Sequence, residues 1–184
     1  MFISDTLFTS NPGGERPAKE LKCYEFLEKH GVGFSGIDHD HADTIELCLG
    51  IEDKLGCKIC KNLFLCNQQK TSFYLLLMPG EKPFKTKLLS KQINSARLSF
   101  GDPENMEKLL DITPGSVSVL GLINDKEHKV RLIIDEDLLK EEYIGCHPCI
   151  NTSTLKLKRD DILNVILPAL GYIPSFVTLN NAEA

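Results

Sequence analysis

Lys61-Asn62-Leu63-Phe64-Leu65 and Tyr74-Leu75-Leu76-Leu77-Met78 are two apolar runs with the polar stretch Asn67-Gln68-Gln69-Lys70-Thr71 between them. Runs of this length, separated by turn-forming residues, predict a hairpin of buried strands. A cation and an amide stand at the mouth of the first run. At the edge of a sheet, Lys61 and Asn62 could point into a pocket and hold a polar group. A lone Lys more often ends a strand and faces water.

C-terminal to the hairpin, Pro79-Gly80 reads as a turn. Lys82, Lys85, Lys87, Lys91 and Arg97 then fall within sixteen positions, and Leu88, Leu89 and Ile93 give the segment an apolar helical stripe. Two readings stand: a solvated helix face, or a face that meets phosphates. Asp102-Pro103 predicts a capped helix with proline in its first turn, running through Met106, Leu109 and Leu110. Thr113-Pro114-Gly115-Ser116 breaks it. Val117 to Ile123 is expected to enter the sheet, with Asn124-Asp125 as the next turn. Val130 to Asp135 is a strand by its β-branched content. Tyr143 to Pro148 reads as a strand end entering a constrained bend, Asn151 to Leu157 alternates as a strand, and Lys158 to Leu170 is a final helix stopped by Gly171.

N-terminal to the hairpin, residues 1–16 read as a loose arm. Pro17 opens a helix with Leu21, Tyr24, Leu27 and Glu28 at helical spacing, and Gly31 stops it. Asp38-His39-Asp40-His41-Ala42-Asp43 has metal-ligating residue types but the spacing of no known site, and reads as a solvated loop. Thr44 to Leu55 is a short helix ending at Gly56.

A chain of 184 residues fits one domain, here 1–184, and can bury a real core. Its longest apolar runs are too short to span a membrane. The first residues lack the basic flank and apolar stretch of a signal peptide, so a cytoplasmic location is expected. Seven Cys residues in a reducing compartment are expected as free thiols, ligands or reactive groups. Cys57-Lys58-Ile59-Cys60 and Cys146-His147-Pro148-Cys149 are two C-x-x-C pairs, open to a zinc site or a redox switch, though far apart in the chain. The net charge of −5 argues against a general polyanion binder but leaves room for one basic face.

Five motifs in order carry a resemblance: Lys61-Asn62-Leu63-Phe64-Leu65, Arg97-Leu98-Ser99-Phe100, Pro114-Gly115-Ser116-Val117, Gly121-Leu122-Ile123-Asn124-Asp125, and His147-Pro148-x-x-Asn151-Thr152. They resemble the YbaK and prolyl-tRNA synthetase insertion-domain superfamily of aminoacyl-tRNA deacylases, and within it the free-standing ProX or PrdX branch. The resemblance implies a single α/β (mixed α+β) domain with a mostly antiparallel, barrel-like sheet flanked by helices. It implies hydrolysis of mischarged alanyl-tRNA(Pro), without a cofactor or metal. Carried over, Lys61 and Asn62 would bind the 3′ end and orient the ester. Gly115, Ser116, Val117 and Ser118 would bring backbone donors and a small-walled pocket. Asn124 and Asp125 would secure the next turn, with Asp125 reaching toward the amino group. Gly145, Cys146, His147, Pro148 and Asn151 would form the pocket wall, and His147 would join Lys61, Asn62, Gly115 and Ser116 as the catalytic residues. Arg97 would bind substrate, and Lys82, Lys85, Lys87 and Lys91 would contact tRNA. The implied partners are the acceptor end of tRNA(Pro) and prolyl-tRNA synthetase. The chain departs from the pattern at Cys149, where an aliphatic residue is usual, and at Cys146. Asn62 in place of the Thr of cysteinyl-tRNA(Pro) deacylases favours the alanyl branch. No Cys, Ser or His has a base partner in a nucleophile arrangement, which agrees with water attack assisted by the substrate's vicinal hydroxyl. Deacylation of a Cys- or Ser-charged tRNA, and a non-catalytic tRNA-binding relative, stand as alternatives.

Overall fold

The N-terminal segment is zipped onto the first strand. In the computed structural model, which describes residues 2–180, the Ser4 N–H donates to the Asp38 carbonyl at 2.8 Å, and Phe8 and Gly36 exchange backbone hydrogen bonds at 3.0 and 2.7 Å. A Cβ on Gly36 would lie 2.3 Å from the Phe8 ring, so the glycine leaves the slot that Phe8 fills. The Phe8 ring also meets Tyr24 edge-on at 5.7 Å. The expected loose arm is thus an ordered strap. Nothing periodic in its sequence announces this, because two bridges and one ring hold it.

The chain continues through α1 (Ala18–Lys29), β1 (Phe34–Asp38) and α2 (Ile45–Leu55). The Thr44 hydroxyl caps α2 by accepting from the Leu47 N–H at 3.2 Å, and Gly56 ends it in the left-handed region at φ 63°. The hairpin follows as β2 (Lys58–Asn67) and β3 (Phe73–Pro79), with Lys61 opposite Met78 and Phe64 opposite Leu75. Then come α3 (Thr86–Gln92), β4 (Leu98–Phe100) and α4 (Pro103–Leu110), the last capped by Asp102, which accepts from the Asn105 N–H at 2.9 Å. After β5 (Val130–Asp135), β6 (Tyr143–Cys146) and β7 (Ser153–Lys158), a helix over 159–170, here α5, and β8 (Ser175–Val177) complete the fold. Residues Ile162–Ile166 of α5 form a widened π turn just before Pro168, whose ring does not fit over a regular preceding turn.

Val119–Ile123 is a buried 3₁₀ turn, not the strand expected. A fully apolar run cannot declare its period. The Ser118 hydroxyl decides locally by accepting from the Leu120 N–H at 3.2 Å.

The sheet runs β1-β7-β6-β2-β3-β5-β8, with β4 also on β2. Four ladders are antiparallel and three parallel. It is open, so the barrel-like expectation becomes an open mixed sheet with helices on both faces. Phe64, Leu75, Leu77, Leu132 and Ile134 pack on one face into the main core with α1, α4 and α5. Leu65, Leu76, Met78 and Ile133 alternate to the other face and pack with Leu89 and Leu98. On that same side α2 packs Leu47, Ile51 and Leu55 over Ile37 and Ile59. Burying such a side chain contributes about 1.5–3 kcal/mol. No helix among the described residues is long and apolar enough to cross a membrane.

Candidate functional site at the open edge of strand β2

One side of β2 pairs with β3 from Cys60 to Cys66. On the other, β6 covers only Lys58 and Ile59, and β4 covers only Leu65 to Asn67. Between them, the strand edge at Cys60–Leu63 faces no strand. The motif that organised the sequence lies in this gap.

The period of a strand sends Lys61 and Asn62 to opposite faces, so they do not point into one pocket. Lys61 is partly buried on the α2–α3 face and donates to the Lys82 carbonyl at 2.8 Å. Lys82 is itself consumed. Its ammonium lies 2.6 Å from both Asp135, which is fully buried, and Asp137. Burial works against its charge, but the two carboxylates outweigh burial and raise its pKa. Lys82 therefore anchors the turn after β3 and does not present a cation to phosphate. Beside Lys61 lies a cavity of about 650 Å³, lined mainly by apolar groups including Leu49, Ile59 and Tyr143, with Asp43 and Cys60 at its wall.

Asn62 faces the main core. Its Nδ2 donates to the Cys60 carbonyl and to Cys60 Sγ, both at 3.2 Å. Its Oδ1 is buried with no partner among the described residues. Flipping the amide would set oxygen against the Cys60 carbonyl, so the orientation is fixed. A buried acceptor left unpaired costs about 1–3 kcal/mol.

The two loops that the motifs nominated meet behind the cavity. Gly115 adopts φ +88°, and a Cβ there would lie 3.3 Å from Asn151 Nδ2. Asn151 Oδ1 accepts from the Ala42 N–H at 3.0 Å, and its Nδ2 donates to Asp43 at 3.1 Å. Asn151 thereby fixes the loop that supplies Asp43 to the cavity wall. Ser116, Ser118, Cys146, Pro148 and Cys149 are buried, and Val117 packs against the main core. Ser118 also hydrogen-bonds the Cys146 thiol. Gly145 lets β6 close on β2: a Cβ would lie 3.1 Å from both Ile59 Cα and the Lys58 carbonyl.

His147 donates from Nδ1 to the Ser153 carbonyl at 2.9 Å, which leaves Nε2 as the basic nitrogen. The Thr154 hydroxyl donates to His39 Nε2 at 2.8 Å, and His39 Nδ1 donates to the Asp40 carbonyl at 2.6 Å. Burial pushes the pKa of His147 down to about 4 from 6.5, helped by the nearby His39. The folded state thus favours the neutral ring, and its stability contribution is present above pH 6.5 and lost as pH falls toward 4. Urea unfolding should show stability dropping by about 1 kcal/mol between roughly pH 7.5 and 5.5 from this group, a loss that His147→Gln removes. An identical pH dependence in the variant would locate the titration elsewhere.

Residues 39–165 match the family described as the aminoacyl-tRNA editing domain. The chain belongs to that family. Among similar proteins, the prolyl-tRNA editing protein ProX of Acetoanaerobium sticklandii is 29% identical over 140 residues, covering 76% of this chain and 85% of the relative. The prolyl-tRNA synthetase associated domain-containing protein 1 of Danio rerio is 27% identical over 150 residues, covering 80% of each. A crystal structure of a candidate trans-editing enzyme for prolyl tRNA synthetase superposes with a TM-score of 0.67 at 16% identity, over 90% of this chain and all of that one. At that identity the superposition establishes the shared fold. Family membership makes the protein an aminoacyl-tRNA deacylase.

In this editing domain the remaining nominated residues divide. Asn124 accepts from the Lys22 ammonium and donates to the Leu110 carbonyl at 2.9 Å, tying α1 to the end of α4. Asp125 accepts from the Lys129 and Val130 N–H groups and from the Tyr172 hydroxyl. Its carboxylate is therefore turned into the fold and away from a substrate's amino group. Arg97, Lys85, Lys87 and Lys91 are exposed and have no ion-pair partner among the described residues. Both C-x-x-C pairs are free thiols. Burial pushes Cys60 up to about 12 and raises Cys146 as well, so neither thiol is a ready nucleophile. Among the described residues, no group of three or more His, Cys, Asp or Glu is arranged to hold a metal.

Sequence reasoning missed Asp43 and Tyr143 as site-forming residues, and it read Cys60 only as part of a C-x-x-C pair. Cys60 was accessible, since strand period places it beside Asn62. Asp43 and Tyr143 were not, because only the tertiary fold brings α2's leading loop and β6 to β2.

Proposed function

We propose that the protein hydrolyses mischarged alanyl-tRNA(Pro) in trans, releasing free alanine and tRNA(Pro) with its terminal hydroxyl restored. The observation that carries this reading is Lys61 at the open edge of β2, held by the Lys82 carbonyl beside the cavity. Asn62, on the other face of the same strand edge, leaves one acceptor for a donor that reaches round that edge. Lys61 suits the phosphate or hydroxyls of the terminal nucleotide. Water adds to the ester carbonyl, the ester C–O bond breaks, and the leaving ribose oxygen takes a proton. No side chain here is poised as a nucleophile, so the vicinal ribose hydroxyl is the group that helps to orient the water. This route calls for no metal or cofactor.

The relatives named for prolyl-tRNA editing support tRNA(Pro) as the substrate, and prolyl-tRNA synthetase as the enzyme whose errors are corrected. A synthetase pocket shaped for proline cannot strongly reject the smaller alanine, because missing methylenes change binding by only about 1–3 kcal/mol. A second site that admits only the smaller residue corrects the error. Deacylation should be measured on tRNAs charged with alanine, cysteine, serine and proline. Alanyl-tRNA(Pro) should be cleaved and prolyl-tRNA(Pro) spared, since steric exclusion of a larger group discriminates well. Equal hydrolysis of the two would contradict the size sieve.

A further inference from the structure

Phe100 is 61% exposed, although it lies on a strand that is hydrogen-bonded into the sheet. One exposed aromatic ring is ordinary on a protein surface. Three further observations set this ring apart. First, it is held in place. Phe100 is in register with Leu65, the Gly101 N–H donates to the Phe64 carbonyl at 2.9 Å, and the ring meets the partly buried Phe84 edge-to-face at 6.2 Å. Second, cations surround it in the chain. Lys85 follows Phe84 and Arg97 begins the turn into β4, with Lys87 and Lys91 on the intervening helix; all four are exposed and unpaired among the described residues. Third, it stands next to the candidate site. Its register partner Leu65 is four positions along β2 from Lys61, or about 13 Å at the usual rise of about 3.3 Å per residue. Lys61, Leu65 and the ring's own neighbours in the second core share one face of the sheet.

We propose that Phe100, backed by Phe84, is a stacking platform for a base in the unpaired RNA segment that leads to the aminoacylated terminal adenosine. The proposal rests on the deacylase reading of the same site and adds a contact to it. An aromatic face flanked by unpaired cations is the arrangement that binds single-stranded nucleic acid. The ring stacks on a base of any sequence, and the cations track the phosphates. The separation from Lys61 suits a neighbouring nucleotide and not the reacting one. Phe100 would therefore fix the approach of the strand without touching the ester.

The test uses the full chain with Phe100 replaced by Ala, Leu and Trp, and the triple variant Lys85→Glu, Lys87→Glu, Lys91→Glu for comparison. KM and kcat are read on alanyl-tRNA(Pro). Binding is read on an uncharged acceptor-stem RNA hairpin carrying 2-aminopurine in its unpaired 3′ segment. Phe100→Ala and Phe100→Leu should each raise KM by about tenfold and abolish the stacking quench of 2-aminopurine. Phe100→Trp should preserve both. The salt dependence of binding should stay as steep as in the unaltered protein for all three, and flatten only in the lysine variant. The Leu variant separates lost stacking from lost apolar bulk. Wild-type KM and quench in both Phe100→Ala and Phe100→Leu would overturn the platform, as would a quench that Phe100→Leu retains. If the unaltered protein deacylates nothing in the charged panel while the hairpin quench still requires Phe100, the platform stands and the catalytic reading falls.

Discussion

Replacing Lys61 with Ala should lower deacylation of alanyl-tRNA(Pro) by on the order of a hundredfold or more, the loss typical of one preorganised transition-state donor, while leaving the protein folded. The Lys61 ammonium has three donors and spends one on the Lys82 carbonyl at 2.8 Å. That carbonyl is fixed because Lys82 is pinned by Asp135 and Asp137. The ammonium is thus aimed in advance, with donors left for a substrate in the adjoining cavity. Losing one hydrogen bond to a carbonyl costs about 1 kcal/mol of stability, too little to unfold the chain. Lys61→Arg should not restore the rate, since a planar guanidinium cannot occupy the place of a compact ammonium bonded to that carbonyl. Lys82→Met should lower both activity and stability, because it releases the turn and strands the buried Asp135 carboxylate. A folded Lys61→Ala protein with a near-normal rate would remove Lys61 from the mechanism.

The parts of the fold that were legible in the sequence are those written locally. The β2–β3 hairpin declares itself by two apolar runs around a polar turn. Thr44, Gly56 and Asp102 mark helix ends because a cap needs only its own residues. β1 was not legible. Its Phe34-Ser35-Gly36-Ile37-Asp38 lacks clean alternation, and it is completed by Phe8 from the strap and by β7. The short strands β4 and β8 carry too few residues to show a period. In the site, residue types were easier to read than directions. Lys61 and Asn62 are neighbours in sequence, which suggests one pocket, whereas strand geometry sends them to opposite faces. Lys82 resembled its neighbours Lys85 and Lys87, but its partner Asp135 is 53 positions away, and no spacing rule reports that.

The same distinction gives a large expected stability effect at Asp125. In sequence it is an acid in a turn, and the family resemblance directs it toward a substrate amine. In the structure it is 4% exposed and accepts three hydrogen bonds: Lys129 N–H at 3.0 Å, Val130 N–H at 2.7 Å and the Tyr172 hydroxyl at 2.5 Å. It closes the turn that starts β5 and ties that strand to the end of α5. Burial, and after it the carboxylate, push the Tyr172 hydroxyl above its ordinary pKa, so it remains a donor. Asp125→Ala would strand a buried N–H at Val130 and the Tyr172 hydroxyl, each costing about 1–3 kcal/mol. The expected loss is about 3–4 kcal/mol, a large share of the roughly 5–15 kcal/mol that holds a domain together. Tyr172→Phe removes one of the three donors and should cost about 1–2 kcal/mol. Asp125→Asn should fall between them, since its amide keeps one acceptor and sets N–H groups against a donor. Urea unfolding of the three variants should give that order. Deacylation per folded molecule, measured well below the midpoint of each transition, should stay close to that of the unaltered protein. If Asp125→Ala is instead as stable as the parent and fails to deacylate, the carboxylate meets the substrate's amino group, and the three internal donors do not explain why the acid is there.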